Sequence, residues 1–518
     1  MAPEGQHGNA VAWFLDRQVA AGRGAHPAFV DESRRLTYAD LQDASRRCAA
    51  GLRAAGILPE QRVALLLHDT VDFPIAFWGC LRAGAVPVPI NTLLPADILR
   101  YILADSRAAA LVVAGRLTEA VLPLLPALPA LRLVLTAGRD GGAVAAGQGF
   151  AAFLEAADPS AETWPAPADE VAFWLYSSGS TGNPKGTRHV HASLRATAET
   201  YGAQVLGITA ADVMFSAAKL FFAYGLGNSM TFPMSVGATA VLSPHRPTPD
   251  AVLALMRAHR PTLFAGVPTL YAALLAHPDL GQGAGSDRLR RCISAGEALP
   301  AQIGQAWRQR VGVDILDGIG STEMLHIFLS NRPDALRYGS SGQAVPGYDL
   351  RIEDEAGKDA ADGEIGELLV RGPSAADGYW NQRARSRRTF AGEWTRTGDK
   401  YRRDTDGFYH YQGRTDDMFK VSGIWVSPFE VEAALIAHDA VLEAAVVGCE
   451  DADGLTKPKA FVVLKSPGSA APGLAAELQY FVKEQAGPWK YPRWVAFVDD
   501  LPKTATGKIQ RFRLRDAG

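Results

Sequence analysis

Tyr176-Ser-Ser-Gly-Ser-Thr-Gly-Asn-Pro-Lys-Gly186 follows directly on the apolar, aromatic run Val171-Ala-Phe-Trp-Leu175, which reads as a buried strand. The loop holds three glycines, three serines, a threonine and a single lysine. Glycine lets backbone N–H groups turn inward, hydroxyls add donors, and Lys185 adds positive charge, so the composition is that of a phosphate cradle. A flexible Gly/Ser linker shares this composition, but linkers seldom emerge from so apolar a strand. The P-loop pattern requires Gly-Lys-Ser/Thr, whereas here Pro184 precedes Lys185 and Gly186 follows it. The stretch is read as a nucleotide site of another kind.

A chain of 518 residues is too long for one hydrophobic core, and roughly two to four domains are expected. The net charge of −3, with Lys and Arg spread along the chain, predicts no nucleic acid partner and no anionic membrane. Cys48, Cys80, Cys292 and Cys449 lie far apart and read as buried small hydrophobes in a reducing compartment. The start, Met1-Ala-Pro-Glu-Gly-Gln-His7, has neither the basic start nor the apolar centre of a signal peptide. No run approaches the ~18 apolar residues of a membrane span. A soluble, cytoplasmic protein is expected.

Upstream of the loop, helix and strand alternate. Thr37 is a plausible N-cap for a helix that continues through Leu52, with Gly56 closing it. Strands are expected at 62–67, 84–90, 110–113 and 131–135, and a helix at 73–83. Residues 137–168, Ala-rich with several prolines, read as a surface connection. Beyond the loop, strands at 238–242 and 262–265 flank a helix at 251–259. This is an α/β pattern with largely parallel sheets. From Asp349 short strands separated by Gly- and Asp-rich turns suggest an antiparallel, β-barrel-like section. The last hundred or so residues read as a small α+β unit, with helices at 429–437 and 474–485. The polar stretch Gly413–Asp417 sets the boundary: residues 1–415 form the large N-terminal domain, and residues 416–518 a small mobile C-terminal one.

Five further stretches concentrate glycine, hydroxyl and charge: Ser294-Ala-Gly-Glu297, Asp317-Gly-Ile-Gly-Ser-Thr-Glu323, Trp394-Thr-Arg-Thr-Gly-Asp399, Gly413-Arg-Thr-Asp-Asp-Met-Phe-Lys-Val-Ser-Gly423 and Leu501-Pro-Lys-Thr-Ala-Thr-Gly-Lys508. Singly each is ordinary turn material. In this order, after the opening loop, they resemble the core motifs of the adenylate-forming superfamily of acyl-CoA synthetases, adenylation domains and luciferases. The resemblance spans essentially the whole chain. It is nearest to the AMP-forming benzoate-CoA ligases, through Lys219-Leu-Phe-Phe-Ala-Tyr-Gly-Leu-Gly227, Asp317–Ile327 and Lys420-Val-Ser-Gly-Ile-Trp-Val-Ser-Pro-Phe-Glu430. Ile319 departs from the superfamily at large, where an aromatic residue is usual.

The resemblance implies ATP, Mg2+ and coenzyme A as cosubstrates and cofactor, and an aryl carboxylate as substrate. Ser177, Ser178, Gly179, Ser180, Thr181, Gly182 and Lys185 would hold the outer phosphates of ATP. Thr322 would contact the α-phosphate, and Glu323 would ligate magnesium together with substrate phosphates. Gly296, Glu297, Asp317, Gly318 and Ile319 would line the adenine, Asp399 and Arg414 the ribose. Lys508 would reach the substrate carboxylate and α-phosphate during adenylation. Rotation about Asp416 would then withdraw it and bring Lys420, Ser422 and Gly423 to the site for coenzyme A.

Phe222, Ala223, Tyr224, Gly320, His326 and Ile327 are expected around the aryl ring. Ala223 and Gly320 leave room for it, and Tyr224 and His326 supply the only polar tips. Benzoate or 2-aminobenzoate (anthranilate) is favoured over para-hydroxylated rings, because no dedicated acceptor for a distal hydroxyl is visible. A stand-alone adenylation enzyme that loads an aryl acid onto a carrier protein remains the alternative, and a downstream synthase is a further conceivable partner.

Overall fold

A computed structural model describes residues 8–138, 147–177, 183–415, 417–421, 424–451, 455–466, 468, 471–487, 490–503 and 509–515. Two large sheets draw their strands from residues 27–344. One is five-stranded and parallel throughout, in the order Val86–Pro89, Arg62–Leu66, Ala110–Ala114, Leu133–Ala137, Gln148–Gly149. Its central strands are buried on both faces, which is why they read as unbroken Val/Leu/Ala runs. The other has nine strands. Six of them, Pro27–Val30, Thr239–Val241, Val213–Ser216, Leu263–Gly266, Arg291–Ser294 and Ile315–Gly320, run parallel. Antiparallel strands close both of its edges, among them Ile327–Ser330 beside Ile315–Gly320.

The opening motif spans the junction of two paired antiparallel strands. Val171–Ser177 pairs antiparallel with Lys185–Val190, setting Ser177 opposite Lys185, and Gly378–Tyr379 completes a three-stranded sheet. Alternation drives the outgoing strand into two cores at once. Phe173 and Leu175 enter the cluster around Phe77, while Trp174 and Tyr176 pack with Trp380. Phe173 meets Phe77 edge-on at 5.7 Å and Trp174 lies 4.7 Å from Trp380. Fully burying such side chains contributes ~1.5–3 kcal/mol each, enough to pin this strand pair.

Capping is as expected at Thr37. Its hydroxyl accepts from the Asp40 amide while Asp40 reaches back, a reciprocal box starting the helix Tyr38–Ala54. The antiparallel section comprises Asp349–Glu353, Gly366–Arg371 and Trp394–Arg403, with Phe390–Ala391 and Tyr409–Arg414 on the last of these. After Arg414 the chain leaves this sheet for a short pair, Phe419–Val421 with Ile424–Val426. A separate three-stranded sheet follows, Val441–Glu450, Thr456–Leu464 and Trp494–Phe497, covered by the helices Pro428–Ile436 and Leu474–Ala486.

Two expectations need correction. Residues 147–168 are not a bare surface connection. They contain the helix Phe150–Glu155, and Phe153 packs so closely on Gly51 that a Cβ there would lie 2.5 Å from its ring. Phe150 and Phe153 form one helical face that the Ala/Pro composition obscured. Cys449, unlike the buried Cys48, Cys80 and Cys292, is only half-buried. Among the described residues, no helix is long and apolar enough to cross a membrane.

Candidate active site

Lys185, first residue of the returning hairpin strand, donates from Nζ to Glu323 Oε1 at 2.7 Å and to Tyr379 Oη at 2.9 Å. Tyr379 Oη in turn donates to the same Glu323 oxygen at 2.7 Å, closing a three-membered knot. The ammonium also sits 4.4 Å from the centre of the Tyr379 ring. Burial works against the Glu323 anion, but the Lys185 charge and the two donated hydrogen bonds outweigh it, and the carboxyl is held below its ordinary range. Tyr379 escaped the sequence reading. Its signal was Gly378-Tyr-Trp380, an aromatic pair that supplies the hairpin's third strand.

The turn bearing Thr322 and Glu323 is held by its backbone. Met324 N–H donates to Ser321 Oγ at 3.1 Å, Leu325 N–H to the Thr322 carbonyl at 3.2 Å, and Ala376 N–H to the Glu323 carbonyl at 2.8 Å. Leu325 pays for this compactness with a φ of +64°. His189 lies 2.7 Å from the Thr322 carbonyl through Nε2 and stacks on Phe173 at 5.2 Å. Burial pushes its imidazolium down to about 4, so the ring is neutral and its one proton lies on Nε2, facing that carbonyl. This support was also invisible in the sequence.

Asp317 pairs with Ser294 across adjacent parallel strands. It is buried, burial pushes its carboxyl well above the ordinary range, and its Oδ1 has no partner among the described residues. Such a group suits an incoming donor like an adenine amine. The neighbouring loop carries Gly296 and Glu297, and Glu297 Oε1 accepts the Ile509 amide at 3.2 Å. The chain just past Lys508 therefore touches the proposed adenine edge. Asp399 and Arg414 are cross-strand partners, with Arg414 Nη1 donating to Asp399 Oδ1 at 3.0 Å. Ser177 Oγ is buried and unpartnered among the described residues. Ser178, Gly179, Ser180, Thr181, Gly182, Asp416, Ser422, Gly423 and Lys508 lie outside the described residues; Lys420 falls in the strand Phe419–Val421.

Of the acyl-site candidates, Tyr224, Gly320, His326 and Ile327 come together at the end of Ile315–Gly320. Phe222 caps the helix Ala223–Leu226, and the Tyr224 and His326 rings lie 5.7 Å apart. Ile327 is buried opposite Gly320. Two expected roles change. Gly320 does not simply leave room for a ring, since its Cβ would lie 2.5 Å from the His326 carbonyl oxygen; the bare Cα lets the antiparallel strand approach. Tyr224 is no free polar tip, because its hydroxyl is engaged with the Gly266 and Ile293 carbonyls at 3.1 and 3.2 Å. His326 keeps one. Burial pushes it down to about 3, its Nε2 faces the Tyr224 carbonyl at 3.3 Å, and Nδ1 has no partner among the described residues.

The sequence profile of the AMP-binding enzyme family matches residues 15–380, and that of the AMP-binding enzyme C-terminal domain matches residues 430–508. The chain belongs to the AMP-binding enzyme family. Within it, a 4-hydroxybenzoate–CoA/benzoate–CoA ligase of Rhodopseudomonas palustris is 54% identical over 510 residues, covering 98% of this chain and 94% of the relative. The crystal structure of a benzoate CoA ligase from Burkholderia xenovorans LB400 superposes with a TM-score of 0.91 at 50% identity, covering 98% of this chain and 99% of that one. An anthranilate CoA ligase in complex with anthranoyl-AMP superposes with a TM-score of 0.94 at 41% identity, covering 99% and 97%. The expected likeness to benzoate-CoA ligases and the adenylate-forming fold are both borne out.

Among the described residues, no cluster of three or more His, Cys, Asp or Glu could hold a metal unaided. A lone buried carboxylate is nevertheless what magnesium needs when substrate phosphates complete its shell, and Glu323 fits that part. Tyr379→Phe keeps the ring beside Lys185 and removes the hydroxyl's hydrogen bonds with Lys185 and Glu323. It is expected to slow adenylate formation roughly tenfold, read as pyrophosphate release, with little change in melting temperature.

Proposed function

We propose that the protein is an AMP-forming benzoate–CoA ligase. The observation that carries this is the Lys185–Glu323–Tyr379 knot. It gathers one cation and one phenol from two strands and one carboxylate from a turn, and that turn leads directly to His326 and Ile327. Identities of 50–54% to proteins named for benzoate support the substrate class.

In the first half-reaction a benzoate oxygen attacks the α-phosphorus of ATP, the bond to the bridging oxygen breaks, and pyrophosphate leaves. Both reactants are anions, so catalysis is charge neutralisation and alignment. Lys185 and the hairpin hydroxyls would hold the departing phosphates, Thr322 the α-phosphate, and Lys508 the carboxylate. Glu323 would hold magnesium, which would supply positive charge to the phosphates. In the second half-reaction the coenzyme A sulfur bonds to the adenylate carbonyl carbon, the thiol proton is lost, and AMP departs.

Incubation with ATP, benzoate and coenzyme A is expected to give benzoyl-CoA and AMP in equal amounts. Adenylate without thioester would overturn the reading in favour of carrier-protein loading. His326 Nδ1 bears on ring substituents, being a buried acceptor that a ring hydroxyl or amine could use. It weakens the preference against 4-hydroxybenzoate, the more so as that acid appears in the name of the Rhodopseudomonas relative. One hydrogen bond offset by desolvation shifts specificity little. Values of kcat/KM are thus expected to be highest for benzoate, with 2-aminobenzoate and 4-hydroxybenzoate within roughly a hundredfold. A clear win for 4-hydroxybenzoate would sink the preference for the unsubstituted ring.

A further inference from the structure

Asp69 is an enclosed carboxylate, 2% exposed, with no part in the chemistry above. It lies just past the C-terminal end of the strand Arg62–Leu66, the end at which parallel sheets place their functional loops. Among the described residues both its oxygens face a single donor, the Leu220 amide, at 3.2 and 3.3 Å. Burial works against the anion, Lys219 and the Leu220 amide favour it, and the carboxyl is pushed up to about 6.

Leu220 belongs to the turn closed by Phe222 N–H on the Lys219 carbonyl at 3.0 Å, and the helix Ala223–Leu226 starts there. The other flank of the turn is clamped by Lys219 Nζ, which donates to the Ser243 and His245 carbonyls at 2.6 and 2.7 Å. There is no slack between turn and helix, since a Cβ on Gly225 would lie 2.0 Å from the Lys219 carbonyl oxygen. The Asp69 loop is equally fixed. Val71 N–H donates to Asp31 Oδ2 at 3.0 Å, and Asp72 pairs with Arg34 at 2.8 Å. The charge that acts on Asp69 is Lys219 on the turn, and His68 precedes it on its own loop. Burial disfavours the His68 imidazolium first, and Lys219, Arg116 and His245 disfavour it further.

We propose that Asp69 is a positioning residue for the acyl site, its carboxylate setting, through Leu220, how Phe222, Ala223 and Tyr224 meet the aryl acid. The inference rests on the benzoate-activating reading.

Asp69→Leu removes the acceptor, while Asp69→Asn keeps size and acceptor but abolishes the charge. Pyrophosphate release with benzoate isolates the first half-reaction. The Leu variant is expected to raise the benzoate KM roughly tenfold, with the ATP KM changed less than about twofold. In the wild type the benzoate KM is expected to rise as pH falls through about 6, where Asp69 takes up a proton; the Asn variant should lack this limb and stay at the wild-type acid value. A carboxyl whose folded pKa is raised destabilises the fold as pH rises through that value. The Asn variant is accordingly expected to melt above wild type at about pH 8, the difference fading below about 6.

An Asn variant with the wild-type KM and the same acid limb would overturn the inference, as would an ATP KM rising in step with that for benzoate. Wild-type protein that releases no pyrophosphate with benzoate would overturn the proposed function itself, so the two failures are distinct.

Discussion

Glu323→Gln is expected to lower benzoyl-adenylate formation by roughly two to three orders of magnitude, the range found when one preorganised electrostatic contact to a transition state is removed. The substitution keeps the side chain's size and one acceptor for Tyr379. What it deletes is the negative charge facing Lys185 at 2.7 Å, in a pair whose side chains are only 14% and 15% exposed. Lys185 then keeps a charge with no counterion, and a cation bridging to the phosphates loses its protein carboxylate. Removing one partner of a pair this enclosed also costs up to ~3–5 kcal/mol of stability.

Because the Glu323 carboxyl is held below its ordinary range, its contribution is present above the unfolded-state value and fades as pH falls through the folded one. The stability gap between wild type and Glu323→Gln should therefore narrow on acidification. Pyrophosphate release and thermal melts across pH check both statements. Adenylation within about threefold of wild type would sink the role given to Glu323, since a single charged hydrogen bond alone is worth more than that.

Lys185 and Glu323 also show where sequence reading stops. Each stood in its own motif with a role on ATP, yet that they would bond to one another across 138 residues was not legible. Local pattern fixes strands and turns, whereas a contact of that range depends on which strands become neighbours. Tyr379 and His189 were missed for the same reason. One is the end of a two-residue strand and the other a histidine outside every motif, and only the pairing of Lys185–Val190 with its neighbours brings both to the Thr322–Glu323 turn. Elements written in local chemistry were legible: the Thr37 cap, the apolar strand Val171–Ser177, and the change to antiparallel pairing after Asp349. Tyr224 failed differently. Its residue type announced a polar tip, but two strand-end carbonyls lay within its reach and took the hydroxyl.

Lys508→Ala is expected to abolish adenylation while leaving thioester formation from supplied benzoyl-adenylate largely intact. The split follows from where the terminal segment is anchored. Ile509 N–H reaches Glu297 at the proposed adenine edge, and Gln510 N–H is bonded to the Pro502 carbonyl at 2.7 Å. Arg511 grips the buried Glu432 through two nitrogens at 2.9 and 2.6 Å, and Val446 N–H donates to the same carboxylate at 2.7 Å. Residues 509–511, which follow Lys508, are thus tied to both the site and the small domain's core. A lysine at position 508 can bring charge to two meeting anions only while that contact lasts. Its loss should cost the first half-reaction at least roughly two to three orders of magnitude. The second needs no such cation, because a neutral thiol attacks a carbonyl that is already activated. Quenched-flow measurement of each half-reaction separates them. Equal losses in the two would mean that position 508 supports the fold of the small domain rather than the chemistry of one step.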